Sequence, residues 1–391
     1  MEKRELERIG GEAEFLVFAK EGTVENAYFI SMAPVRGFER LLKGKSPIFA
    51  LQAVMRICGI CFSAHGIASV EAIEEAIGIL PPPNGRNARE ALGLLNRIQS
   101  HILHLMLLTP DLVEDDGRIM YREIELLNKI SNLLQKLGGA PTHPPFLAIG
   151  GVERLPEEGE LARMVEELRE LKEEFLSIRK DLLDCADGSD ALATLREREY
   201  APGFLATHLF YGDRYNLDVG GVETLHYHEF RGEDAPEEAK TSTSMVALYR
   251  GRPVEVGPRA RLSLYRDFSD GSLWGLQVAR MEEIPMAVDR VISLIEEIDP
   301  KEPCKTERLV FKRGRGIGVY EAPRGTLIHK VALGPEGRIT DYQIIVPTEF
   351  NIPHMEAACR GLPAGMADLV PRIYDPCIPC ATHVVEVGKS V

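Results

Sequence analysis

The sequence predicts a mainly α (α+β) protein, a large helical-bundle core with small peripheral β elements. Two observations carry this. Residues 86–108, 114–138 and 158–186 repeat apolar side chains at three- and four-residue intervals for far longer than a strand sustains. The stretches that alternate apolar and polar residues with period two are short. No internal repeat or low-complexity tract divides the 391 residues. The expectation is therefore one domain spanning 1–391.

Taken in order, residues 12–33 alternate (Ala13, Phe15, Val17, then Ala27, Phe29, Ile30) around Glu21-Gly22, which reads as a hairpin. Residues 48–78 carry helical periodicity interrupted by a cysteine motif. Pro81-Pro82-Pro83 is a rigid linker ahead of the long helices. Glu160–Lys180 is dense in charge with Leu and Met at helical spacing, the pattern of a solvated outer helix. Residues 201–265 are richer in Gly, Tyr and Val and read as irregular β. There, His226 and His228 share one face of the expected surface strand. Residues 273–298 are helical again, 307–346 alternate like strands around a Pro-Arg-Gly turn, and 353–372 form a short helix leading into the last cysteines.

Composition excludes several functions. With 45% hydrophobic and 27% charged residues, the chain has ordinary globular content and is neither disordered nor collagenous. A formal charge of −14 argues against nucleic-acid binding, which needs clustered Lys and Arg. No apolar run reaches the roughly 18–20 residues of a membrane span. The N-terminal residues alternate charge without an apolar core, so no secretory signal is visible and a cytoplasmic location is expected.

Seven cysteines is an odd number and too few for a disulfide scaffold of this length. Cys185, Cys304 and Cys359 stand alone and read as small apolar residues. The other four form two C-x-x-C pairs, Cys58/Cys61 and Cys377/Cys380, near opposite ends of the chain. One such pair suits a redox dithiol or half a zinc site; two pairs suit a four-thiolate site for Zn, Fe or Ni. A structural zinc site usually closes a short loop, whereas this separation implies a site assembled inside a finished core.

The surroundings narrow the choice. Arg56-Ile57-Cys58-Gly59-Ile60-Cys61-Phe62-Ser63-Ala64-His65 and Asp375-Pro376-Cys377-Ile378-Pro379-Cys380-Ala381-Thr382-His383 read R-x-C-G-x-C-x3-H and D-P-C-x2-C-x2-H. Together they resemble the large catalytic subunit of NiFe hydrogenases. Pro34–Glu39, Ser100–His104 (a helix with paired histidines), Gly138–Pro144, Glu321–His329 (EAPRGxLxH) and Pro347–Asn351 extend the resemblance over nearly the whole chain. The short length and the wording of Pro34–Glu39 and Cys58–Glu71 look most like the cytoplasmic alpha subunits that reduce coenzyme F420. Soluble branches linked to NADP or to heterodisulfide reductase remain open, as does a silent, complex-I-like scaffold subunit.

The resemblance implies reversible heterolytic cleavage of H2 to protons and electrons at a Ni and an Fe, the Fe carrying one CO and two cyanides. It makes Cys58 and Cys377 terminal Ni ligands and Cys61 and Cys380 bridges to Fe. Soft thiolates suit low-valent Ni. It places Arg324 over the open metal face with Asp375 accepting from it, His65 donating to a bridging sulfur or a cyanide, and Pro323 and Ala322 forming an apolar, backbone-donor pocket for the diatomic ligands. Glu39 and His383 would hold a Mg or Fe ion near the chain end. One departure stands out. The family's R-I-E-G-H motif relays a proton through its glutamate, but here the run is Arg8-Ile9-Gly10-Gly11-Glu12. Glu12, two residues on and on the same face of an extended chain, is the candidate substitute. Residues 384–391 are expected to be a cleaved C-terminal extension. The implied partners are an iron–sulfur small subunit, a flavin (FAD) subunit that binds coenzyme F420, a maturation protease and nickel-insertion factors.

Overall fold

A computed structural model describes residues 1–113, 117–186, 189–200, 202–233 and 235–382. A three-stranded antiparallel sheet opens the chain: β1 (Glu2–Leu6), β2 (Ala13–Lys20) and β3 (Thr23–Ile30), in that order. The expected hairpin is β2–β3, turned through Glu21 (φ 52°) and Gly22 (φ 78°). Strand β1 escaped the sequence reading because it is an edge strand with exposed, charged residues and little apolar alternation.

Next come α1 (Phe38–Leu42), α2 (Pro47–Met55) and α3 (Phe62–Ile77). Ser46 caps α2 by accepting from the Phe49 N–H, with Pro47 at the first helical position. Gly78 in the left-handed region ends α3. The long helices follow: α4 (Pro83–Leu112), α5 (Arg118–Gly138) and, after the two-residue strands β4 (Leu147–Ala148) and β5 (Gly151–Val152), α6 (Glu158–Ala186). Beyond α7 (Asp190–Glu197), the 201–265 region departs from the expected irregular β. Its hairpin, β6 (Val222–His226) and β7 (Met245–Tyr249), encloses two short helices, α8 (Tyr227–Arg231) and α9 (Glu237–Lys240), and α10 (Pro258–Tyr265) follows. His226 therefore ends a strand and caps α8, while His228 sits in that helix; their rings stack at 5.5 Å. The shared strand face assumed for them does not exist, because the backbone turns between them.

Helix α11 (Gly275–Glu296) completes a bundle in which α4 packs on α5 and α11, and α6 packs on the same two helices. The charged face of α6 is solvated as expected, while Leu161, Met164, Leu168, Leu171, Phe175 and Ile178 are buried. The second sheet is β8 (Gly314–Ala322), β9 (Gly325–Leu333) and β10 (Ile339–Ile345), antiparallel with β9 central. The expected terminal helix is two: α12 (Pro347–Cys359), started six residues early by Pro347 at its first position, and α13 (Leu369–Tyr374). A last turn, α14 (Ile378–Ala381), ends the described chain. Among the described residues, no helix is long and apolar enough to cross a membrane.

One contact decides where the cysteines lie. Helix α3 rests its backbone on β8: a Cβ added to Gly314, Gly316 or Gly318 would fall about 2 Å from the carbonyl oxygens of Ala76, Ala72 and Ala68 respectively. Two strand residues advance about 6.6 Å and four helical residues about 6.0 Å, so the glycines and alanines stay in step. The two elements run antiparallel. The turn after β8, Pro323-Arg324, therefore arrives where α3 begins, at Cys61.

Candidate metal centre

Cys61 is the residue immediately before α3 and Cys377 the residue immediately before α14, so both pairs sit at helix starts. The four thiols come from chain ends 319 residues apart yet form one cluster. Cys58 Sγ lies 3.3 Å from Cys377 Sγ, Cys61 Sγ 3.3 Å from Cys380 Sγ, and Cys377 Sγ 3.0 Å from Cys380 Sγ. All four ligand atoms lie within 4.8 Å of one another and all four residues are buried.

The charge state of this cluster tests whether it suits a metal. Hydrogen bonds from Cys377, Cys380 and Cys61 hold the Cys58 thiol well below its usual range, and Arg324 adds to this. The Ile60 and Cys61 backbone N–H groups also donate to Cys58 Sγ, at 3.2 and 3.3 Å. Hydrogen bonding to Cys377 pushes Cys61 well above the thiol range, and burial does the same to Cys380. Crowded, dry sulfurs thus resist sharing out further negative charge. A cation among them supplies the missing counter-charge and deprotonates its ligands. The donor set fits a soft transition metal.

Arg324 and Asp375 form the other half of the site. Asp375 terminates α13 in the left-handed conformation (φ 60°, ψ 59°), a strained state that Asp tolerates better than most residues. There it meets Arg324 twice: Nε donates to the Asp375 carbonyl at 2.5 Å and Nη2 to Oδ1 at 2.8 Å. Burial works against ionisation of Asp375, but the Arg324 charge, then His104, overcomes it and holds the carboxyl well below its usual range. Burial likewise works against Arg324, and Asp375 followed by the cysteine sulfurs raises it. Asp375 Oδ2 is buried and finds no hydrogen-bond partner among the described residues.

His65, on the first turn of α3, places Nε2 3.4 Å from Cys380 Sγ. Its Nδ1 meets His329 Nε2 at 3.1 Å, His329 Nδ1 meets the Tyr342 hydroxyl at 2.8 Å, and that hydroxyl donates to Ser69. The sequence reading placed His65 at a sulfur but missed this chain behind it, which joins α3, β9 and β10. Ala322 and Pro323 are buried in the turn beside Arg324, but their carbonyl oxygens accept from Arg261 at 2.9 and 3.2 Å. Proline has no N–H, so Pro323 offers no backbone donor of the kind expected for it.

Gly10 bridges Cys377: its N–H donates to the Pro376 carbonyl at 3.3 Å and its carbonyl accepts from Ile378 N–H at 2.7 Å. Glu12 is exposed. Gly11 adopts φ 102°, so the extended alternation assumed between residues 10 and 12 is broken there. Glu12 lines a surface groove with Glu5, Glu7 and Glu14 instead. Glu39 on α1 is buried, accepts from Ile344 N–H at 2.6 Å, and is pushed up to about 7 by burial. Glu349, buried at the start of α12, is raised well above the carboxylate range by burial, with the Glu39 charge contributing. His383 and residues 384–391 lie outside the described residues.

Comparison with known proteins follows the same lines. The profile of nickel-dependent hydrogenases matches residues 36–114 and 271–363. The chain is 38% identical over 379 residues to the coenzyme F420 hydrogenase subunit alpha of Methanocaldococcus jannaschii, covering 94% of this chain and 89% of that protein. It is 30% identical to the sulfhydrogenase 1 subunit alpha of Pyrococcus furiosus, covering 95% of each. A solved chain of the Ni-Fe-Se hydrogenase from D. vulgaris Hildenborough in its reduced state has the same fold, with TM-score 0.85 over 97% of this chain and 99% of that one at 23% identity.

Proposed function

The chain belongs to the nickel-dependent hydrogenase family, and we propose that it is the hydrogen-activating subunit of a complex whose electrons reach coenzyme F420. Its catalytic-subunit character follows from the family. The acceptor is inferred from the relatives named coenzyme F420 hydrogenase, of which three match over about 95% of this chain at 38, 33 and 27% identity. The observation that carries the reading is the convergence of Cys58, Cys61, Cys377 and Cys380 in one buried cluster.

In this reading Cys58 and Cys377 would be ligands to Ni alone, and Cys61 and Cys380 would be shared between Ni and an Fe that carries one CO and two cyanides. When bound, that centre supplies the site at which dihydrogen is cleaved and its electrons are taken up. The protein's own groups do the rest. Arg324, fixed by its two bonds to Asp375, holds a positive charge against the cluster in a dry setting where charge acts strongly. With the Tyr342 hydroxyl donating to Ser69, His329 donates from Nδ1 and accepts at Nε2 from His65 Nδ1, so His65 donates from Nε2 to Cys380 Sγ as the doubly protonated ring, a cation suited to a thiolate. Cys377 Sγ is the terminal thiolate next to Gly10, and a proton leaving it finds glycine where the family carries glutamate. Glu39, with His383, holds a Mg or Fe ion, a hard cation suited to a carboxylate.

Electrons leave through a partner: the relatives are named alpha subunits, and beyond the two pairs the sequence keeps Cys185, Cys304 and Cys359, too few for the four thiolates of an iron–sulfur cluster. An iron–sulfur small subunit receives them and a flavin subunit passes them to coenzyme F420. A maturation protease removes residues 384–391 after nickel-insertion factors have acted. Gly10 favours one second reading, a silent scaffold subunit that keeps its thiols. Infrared spectra of anaerobically purified protein, made in a host with the maturation enzymes, test the proposal. Bands of metal-bound CO and cyanide together with hydrogen turnover are expected. Zinc in the thiols, or no such bands, would overturn it, and bands without turnover would select the scaffold.

A further inference from the structure

Three side chains spaced four apart on α4, Asn96, Ser100 and His104, form one buried stripe, and each reaches a different segment of the site. Asn96 donates to the Ile60 carbonyl at 2.8 Å and accepts from Ser63 N–H at 3.3 Å, gripping the first cysteine motif. Ser100 Oγ accepts from Arg324 Nη1 at 3.4 Å. His104 Nδ1 lies 3.5 Å from Asp375 Oδ1, the same oxygen that Arg324 uses.

The other ring nitrogen settles the protonation pattern. His104 Nε2 faces Gln277 Oε1 at 3.1 Å. The Gln277 amide cannot be reversed, because its Nε2 donates to the Ile373 carbonyl at 3.0 Å. A reversed amide would set two carbonyl oxygens against each other. His104 Nε2 therefore carries a hydrogen. A neutral ring then turns the bare Nδ1 lone pair toward Asp375 Oδ1, acceptor against acceptor. The contact becomes a charge-assisted hydrogen bond only when Nδ1 takes a second proton.

We propose that His104 is a positioning residue for Asp375 and, through it, for the Arg324 guanidinium, acting through Nδ1, and that Gln277 makes this hold conditional on a second ring proton. The inference rests on the assignment of Arg324 and Asp375 to the metal site. The groups facing the ring are Asp375, which favours the added charge, and Arg280 and Arg324, which oppose it together with burial. The ring therefore grips Asp375 more firmly as pH falls, and the Arg324 charge over the cluster is set more rigidly in acid.

The test uses the loaded protein with its partner subunits and three substitutions. In His104→Asn the side-chain nitrogen takes the place of Nδ1 and donates at every pH. In His104→Gln it takes the place of Nε2, keeps the Gln277 contact and leaves Asp375 unaddressed. His104→Ala removes both. Readouts are the infrared bands of metal-bound CO and cyanide between about pH 5 and 8 and H2/D2O exchange. The wild-type bands are expected to move with pH. His104→Gln and His104→Ala should show displaced, pH-independent bands and at least about tenfold slower exchange, the usual scale for groups supporting a metal site. His104→Asn should hold the acid-form bands at all pH values and recover most of the rate. Equal behaviour of the Asn and Gln variants, or wild-type bands in the Ala variant, would overturn the proposal. If the Ala variant fails to fold, the Asn–Gln contrast decides. Absence of these bands from the wild-type protein would instead overturn the metal-site assignment on which the inference rests.

Discussion

Replacing Gly10 by Glu puts a carboxylate beside Cys377, where the family keeps one. The structure allows the change. Gly10 is not in the left-handed region, so a side chain brings no backbone strain. Its Cβ would lie 3.3 Å from the Pro376 carbonyl oxygen, 3.5 Å from Cys377 Cα and 3.7 Å from Ile60 Cδ1. Only the first contact is tight, and easing it takes a few tenths of an ångström in the Gly10–Cys377 pairing. Losing glycine's freedom in the unfolded chain stabilises by about 0.4–1 kcal/mol, which offsets the crowding and leaves net stability within about 1 kcal/mol of the parent. The kinetic gain is larger. A positioned acid–base group contributes about 10²–10⁴-fold, and the lower figure of about 100-fold, or ~3 kcal/mol of barrier, is the expected gain. H2/D2O exchange is the assay, since it reports cleavage and proton release without the electron route through partner subunits. Gly10→Ala controls for the new Cβ and Gly10→Asp for reach. Exchange in Gly10→Glu no faster than in Gly10→Ala, with nickel content and infrared bands intact, would refute a proton-relay role for this position.

Three further outcomes follow. Glu39 has a folded-state pKa near 7 against 4.5 for the free group. Its contribution to stability is therefore full below about pH 4.5, lost as pH rises to about 7 and constant above. The loss is about 3 kcal/mol. Urea melts of metal-free protein should lose stability over this range, Glu39→Gln should lessen the loss by about 3 kcal/mol while the buried Glu71 and Glu349, raised in the same direction, keep the remainder, and Mg2+ should restore stability above pH 7 in the parent alone. Asp375→Asn leaves the buried Arg324 without its counter-charge and should cost about 3 kcal/mol in the same assay, near the lower end for breaking a buried pair; a loss below 1 kcal/mol would show that Arg324 does not depend on that charge. Intact-mass measurement of active protein should show a chain ending at His383, and active protein that retains Val384–Val391 would exclude a requirement for processing.

What the sequence reveals and what it hides divide along a physical line. The long helices were legible because burial of one face imposes a 3.6-residue period over many turns, and the β8–β10 sheet because alternation and turn residues recur in short order. Strand β1 was hidden because an exposed edge strand buries almost nothing. Helices α8 and α9 were hidden because two turns or fewer establish no period, and capping at His226 is a local interaction that competes evenly with strand continuation. The cysteines were legible because thiolate chemistry leaves few alternatives at each position. The roles of the residues that hold the site in place were not: Ser100 and His104 fall in a motif that assigns them no partner, Asn96 stands on a helix whose period is satisfied without it, and Gln277 is an ordinary polar residue until Ile373 fixes its amide. Such groups act through partners far away in sequence. Asp375 lies 271 positions from His104, and Arg324 lies 224 from Ser100. A short motif can identify a ligand, since the ligand's chemistry is its own. A supporting residue's chemistry belongs to a pair, and only the packing of α3 on β8 and of α4 on α11 makes those pairs. That is why glycine at position 10 stood out from its motif alone, whereas the role of His104 had to come from three distances.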